Sequence, residues 1–216
     1  MFTVKAPSPA EMAASLNVQT RIAHEMIERD PRIPFIGALV IAGDRLSAER
    51  SDRWLAEGMP FDDALAFVGS YARLDWALRA QERGATSRGW LLDRLPHLWS
   101  GSDPDDTDPR FLALWREAFA RNGHRPILDG RRLPPGDVLT VYRGQFRDAP
   151  LGIAWSLDRR VAEAFARSGG LRGAIQGGVV LTRSARRRDV LAYLTGRDES
   201  EVIVDPSLLL PYRRAR

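Results

Sequence analysis

The chain contains no cysteine among its 216 residues. That excludes disulfides, thiolate metal sites and a cysteine nucleophile, and it suits a reducing compartment. A long apolar run is lacking too. The longest, "FIGALVIAG" from Phe35 to Gly43, is too short to span a bilayer, and the N-terminus has no charged-then-apolar signal pattern. The expectation is a protein of the bacterial cytoplasm, or one delivered into a target cell without a classical signal peptide, with no membrane segment. Histidines number three, His24, His97 and His124, far apart and without ligand spacing, so no metal is expected. Lysine is nearly absent as well: Lys5 stands against 31 arginines.

What is present reads as an ordinary globular composition, 44% apolar and 28% charged. The net charge is +4, but the arginines are interleaved with acids over almost the whole length. Only "RSARRRD", Arg183 to Asp189, is dense, and a solvated loop accounts for it.

The first 125 or so residues carry helical signals. Ser8-Pro9-Ala10-Glu11 combines an N-cap serine, a first-turn proline and a Glu at the third position, opening a helix to about Glu28. Val18, Ile22, Ala23, Met26 and Ile27 form its apolar stripe. Phe67, Tyr71, Leu74 and Leu78 predict one helix from Phe61 to about Glu82, and shorter helices are expected over 48–57 and 88–99. Asp108-Pro109 opens another, closed by Gly123. Tryptophans on these stripes are expected in the core.

Beyond "GHRPILDGRRLPPGD" the period changes. "DVLTVYRGQ" alternates as a strand, and "SLDRRVAEAFARSGG" is a short helix ended by Gly169 and Gly170, with Val161 and Phe165 packed inward. "GGVVLTR", "DVLAYL" and "EVIV" then read as strands. Helices first and strands afterwards predict an α+β fold, with a helical region over 1–125 packed on a mixed-sheet core over 126–216.

Three short motifs carry the chemistry. In "LTVYRGQ", Leu139, Val141 and Arg143 share one face of a strand, so a guanidinium ends an apolar row and needs an anion, a carboxylate of the protein or a phosphate of a ligand. Gly144 follows, which lets a flat ligand approach the backbone. In "GIAWSLDRR", Ser156 or Asp158 can cap the following helix. In "RDESEVIVDP", Glu199 and Glu201 stand two apart, so a strand would set both carboxylates on one side, where like charges repel unless a cation or a reaction uses them.

The order and spacing of these motifs resemble the ADP-ribosyltransferases of the arginine-serine-glutamate class, the group of toxin-like mono-ADP-ribosyltransferases. The counterparts are Tyr142-Arg143-Gly144, Ala154-Trp155-Ser156 with the helix behind it, and Glu199-Ser200-Glu201, so the likeness covers about residues 137–206. The resemblance implies a sheet core of that type, NAD as substrate and no metal. Arg143, Gly144, Ser156 and Tyr142 would bind NAD, with Arg143 on the phosphates and Ser156 holding Glu201 or the nicotinamide ribose. Glu201 would stabilise the oxocarbenium-like transition state as the nicotinamide–ribose bond breaks, and Glu199 would orient the acceptor and take its proton. The Glu-x-Glu form resembles members that modify protein arginines, and arginines near the cleft, Arg197 among them, are the first self-modifications expected. Nucleic acid as acceptor, hydrolysis of NAD, and a non-catalytic binding module on a degenerate fold are the alternatives. A neutralising antitoxin partner is compatible with the class. One departure stands out: Ala154 occupies the place of the first motif serine, so either Ser156 supplies that hydroxyl from a shifted register or the support is absent.

Overall fold

The structure is a computed structural model that describes residues 8–31, 33–168 and 178–212. These residues form an α+β chain, helices first and a mixed seven-stranded sheet afterwards. They group into two compact units. One comprises residues up to 88 with 101–104, and the other comprises 89–100 with 105 onward. The division therefore falls earlier than the 125/126 boundary read from the sequence, because two of the helices pack with the strands.

In the first unit α1 (Pro9–Arg29) starts on a complete capping box, Glu11 N bonding Ser8 Oγ and Ser8 N bonding Glu11 Oε2. It pairs with α2 (Phe35–Ala56), a 22-residue helix that takes in the "FIGALVIAG" run and extends the short helix expected over 48–57. Small residues permit the close pairing: Ala23, Ala38 and Ala42 are fully buried, with Ile22, Met26 and Ile27 packed around them. The single helix expected from Phe61 is broken into α3 (Phe61–Ala66) and α4 (Ser70–Glu82). Phe67 therefore lies half-exposed at the break, while Leu74 and Leu78 are buried as their spacing predicts. Gly69, the N-cap of α4, has no capping side chain, and Asp44 of α2 fills its place. The Asp44 carboxylate accepts from Tyr71 N at 2.8 Å and lies where a Cβ on Gly69 would project. Burial raises the Asp44 pKa above the usual carboxylate range, against the hydrogen bond from Tyr71.

In the second unit α5 (Arg88–Ser100) and α6 (Pro109–Arg121) accompany the sheet. Asp108 caps α6, accepting from Arg110 N at 2.9 Å, and Gly123 follows the helix with φ of +67°. The strands are β1 (Ile127–Leu128), β2 (Val138–Phe146), β3 (Ala154–Ser156), β4 (Gly178–Arg186), β5 (Val190–Leu194), β6 (Glu201–Val204) and β7 (Leu210–Pro211), with α7 (Arg159–Ser168) between β3 and β4. Their order is β1-β5-β6-β3-β2-β4-β7, antiparallel at every pair but β1–β5. One core takes Leu139, Val141 and Ala185 from β2 and β4 and Trp155 from β3, together with Val190, Tyr193, Val202 and Val204 from β5 and β6. The basic cluster expected as a loop is half strand: β4 runs to Arg186, and Arg187–Asp189 form a short 3₁₀ turn.

Helix α7 lies against β2, but not on the face expected. Ala162 and Ala166 are buried, whereas Phe165 is 40% exposed. Contact this tight needs small residues on both sides, and Gly144 supplies the other. The glycines expected to end α7, Gly169 and Gly170, lie outside the described residues.

Candidate active site

The three motifs sit on neighbouring strands. β3 lies between β2 and β6, with Tyr142 opposite Ser156 and Ser156 opposite Glu201. One rung, Tyr142–Ser156, joins β2 to β3, whereas β2 runs nine paired positions with β4. Arg143 stands at the point where β2 and β3 part.

The anion this guanidinium requires comes from the protein. Arg143 Nη1 and Nη2 bond the two carboxylate oxygens of Asp106 at 2.5 and 2.9 Å, a bidentate pair. Nη1 also bonds Ala154 O at 2.7 Å, and Nε bonds Gln145 Oε1 at 2.7 Å. Both side chains of the pair are about 15% exposed, and the Asp106 carboxylate takes the Ala154 N–H as well, at 3.0 Å. Gly152 is part of this cradle, since a Cβ there would run into the Asp106 carboxylate. Sequence alone gave no pointer to Asp106: it lies 37 residues before Arg143, in an acidic stretch that reads as a loop.

Gly144 does not open its backbone to a ligand on its side-chain face. A Cβ built there lies 2.5 Å from Ala166 N and closer still to Ala162 O, so α7 fills the space the missing side chain leaves. This corrects the sequence reading: the glycine admits a helix.

Ser156 is buried, and its hydroxyl is committed to backbone. It donates to Glu199 O at 2.5 Å and accepts from Asp158 N at 2.9 Å. It thus fastens the turn before β6 and the segment entering α7, whereas the sequence reading aims it at Glu201 or the nicotinamide ribose. The helix cap is Asp158, whose carboxylate accepts from Arg160 N at 2.8 Å.

Glu199 and Glu201 are not consecutive rungs of one strand face. β6 begins at Glu201, and Glu199 lies in a turn where Asp198 and Ser200 adopt φ of +56° and +46°. Such left-handed positions break the alternation on which the side-by-side reading relied. The two carboxylates still act on each other, and Glu201 is partly buried. Burial drives its pKa up to about 7; the Trp99 indole N–H, 3.1 Å from Oε1, opposes the rise, Glu199 and Asp106 add to it, and Arg197 opposes it. Tryptophans were expected in the core, and Trp76, Trp115 and Trp155 lie there. Trp54 and Trp90 are half-buried, whereas Trp99 is buried like the other three and its indole nitrogen also reaches the site. Nothing in its position on a helical stripe signals this, because the partner lies 102 residues away.

The raised pKa links folding to pH. The partly buried Glu201 binds a proton that the unfolded chain, with an ordinary pKa near 4.5, has already released. Its protonated form is thus favoured by folding, and that stabilisation declines as pH rises from about 4.5 through 7. The expected loss is up to roughly 3 kcal/mol between pH 4.5 and 8. Urea unfolding at several pH values measures it, and Glu201→Gln should remove this part of the slope.

Among the described residues, no group of three His, Asp or Glu side chains is placed to hold a metal ion, and no helix is long and apolar enough to cross a membrane. Comparison with protein-family models, with curated proteins and with solved structures gives no match to this chain.

Proposed function

We propose that this chain is an NAD-dependent mono-ADP-ribosyltransferase on an ADP-ribosyltransferase-type core, cleaving the nicotinamide–ribose bond and passing ADP-ribose to a protein arginine. One observation carries the reading: the arginine, serine and glutamate motifs, 13 and 45 residues apart along the chain, come to three adjacent strands, with the partly buried glutamate carboxyl raised to a pKa of about 7. An ionised carboxylate in such a low-dielectric site stabilises positive charge developing on a ribose far better than one in water. Near pH 7 a large share of Glu201 is ionised, and its repulsion by Glu199 and Asp106 is relieved when that positive charge appears. Glu199, in the adjoining turn, is the group to take the acceptor's proton, which a guanidinium must lose before it attacks.

Arg143 enters differently from the motif's implied phosphate clamp. Its donors hold Asp106, so an NAD diphosphate that reaches it exchanges with that carboxylate, one anion for another. Hydrolysis of NAD, with water as the acceptor, is the second reading, and Tyr193 favours it. Tyr193 is the nearest aromatic before the Glu-x-Glu turn and is buried in the sheet core, so it cannot hold an arginine substrate.

The test is release of nicotinamide from NAD by the purified protein, with agmatine present as a guanidino acceptor and intact-mass analysis of the protein itself. Release with transfer to agmatine or to Arg197 supports the transferase, and release without transfer supports hydrolysis. Neither release nor transfer, over a pH range of 6 to 9, would end the proposal.

A further inference from the structure

We propose that the indole N–H of Trp99 is the positioning group that holds the Glu201 carboxylate for reaction, doing from helix α5 the work of the hydroxyl that Ala154 lacks. This inference rests on the transferase reading and names a residue that none of the three motifs contains.

The nearby strand offers no such donor. Ala154 has no hydroxyl, and its backbone N–H is spent on Asp106. Ser156 has one hydroxyl proton, and that proton goes to Glu199 O. Trp99 Nε1, by contrast, lies 3.1 Å from Glu201 Oε1.

The indole is fixed on several sides. Trp99 is 2% exposed, one residue before the end of α5. Trp115 and Phe111 of α6 meet its ring edge-on, at centroid separations of 5.7 and 6.2 Å. Its backbone oxygen accepts from Arg197 Nη2 at 3.5 Å, which links it to the turn that carries the glutamates. A ring held this way cannot swing to another acceptor, so its N–H is directed before any ligand arrives.

The donor type matters. An indole N–H donates and never accepts, so it favours the ionised carboxylate over the acid. A serine hydroxyl can turn and serve either form. Glu199 and Asp106 push toward protonation and Arg197 pulls the other way, so removal of the indole N–H leaves the balance with the acid. The ring must stay if packing is to stay, which makes phenylalanine the informative replacement.

For Trp99→Phe, the alkaline shift of the pH profile for nicotinamide release should be about 1 unit, with kcat at pH 6.5 reduced about tenfold, recovery toward wild type above pH 8.5, and KM for NAD little changed. A loss of packing alone would lower activity at every pH and leave the midpoint in place. A second measurement needs no activity: the Nε1–H proton resonance of Trp99, assigned in the wild type by its absence from Trp99→Phe or by selective labelling, should move with pH through a midpoint near 7 and stay fixed in Glu201→Gln.

The two arms separate the failures. If the wild type releases no nicotinamide while the resonance titrates, the transferase reading falls and the Trp99–Glu201 bond stands. If nicotinamide is released with transfer to agmatine and Trp99→Phe keeps the wild-type pH midpoint, or the resonance ignores pH, the inference falls and the transferase reading stands.

Discussion

Gly144→Ala should unfold the sheet unit at a far lower urea concentration than the wild type, a loss of about 4 kcal/mol or more, toward the upper end of what single substitutions do. The new methyl would meet backbone on both counts: the oxygen of Ala162 and the nitrogen of Ala166. These are acceptor and donor of one i→i+4 bond in α7, so the intruding carbon would sit in the helix ladder itself. Neither side can yield cheaply. β2 is tied to β4 through nine paired positions, and the atoms the methyl would meet are α7 backbone, which cannot be trimmed. Gly123→Ala, in the same unit, is the control. Nothing lies within 4 Å of a Cβ at that position, and its cost is the left-handed backbone alone, φ +67°, about 1 kcal/mol. Equal stability of the two variants would show that α7 does not rest on Gly144 as described.

The largest effect on activity is expected for Glu201→Gln. An amide keeps the size and can still accept from Trp99, but it carries no charge to set against a developing oxocarbenium ion. Nicotinamide release should fall about a thousandfold, in the range seen when one electrostatic group is removed from an active site. Folding should survive and even improve above pH 7, since the variant no longer has to bury a carboxylate there. Glu199→Gln should part the two steps: it leaves Glu201 in place and removes the base for the acceptor, so nicotinamide release persists while transfer to agmatine drops. Nicotinamide release by Glu201→Gln at the wild-type rate would remove this residue from the chemistry.

The parts of the fold that sequence made legible are those with local causes. Ser8 and Glu11, Asp108 and Pro109, and the run "EVIV" each specify an element within a few residues, and the elements lie where expected. β1 and β7, two residues each, owe their pairing to distant partners and leave no local period. The same contrast holds at the site. That Arg143 needs an anion follows from its place on an apolar strand face, yet which anion it has depends on a loop far upstream. On α7 bulk is no sign of burial: at Gly144 the small residues go inward. Glu199 and Glu201 were set on one strand face by counting residues, and two left-handed φ values before β6 undo the count. Trp99 shows the limit most plainly, since its apolar ring and its polar edge serve different neighbours and only the ring leaves a trace in the periodicity.

The buried hydroxyl of Ser156 has a mechanical side. With one bond to the Glu199 carbonyl and one from the Asp158 amide, it rivets the acidic turn to the approach of α7, and α7 in turn bears on the strand that carries Arg143 with no side chain between them. The glutamate turn and the strand that carries Arg143 are therefore joined through α7. A displacement of either would pass to the other through main chain, without any charge having to move.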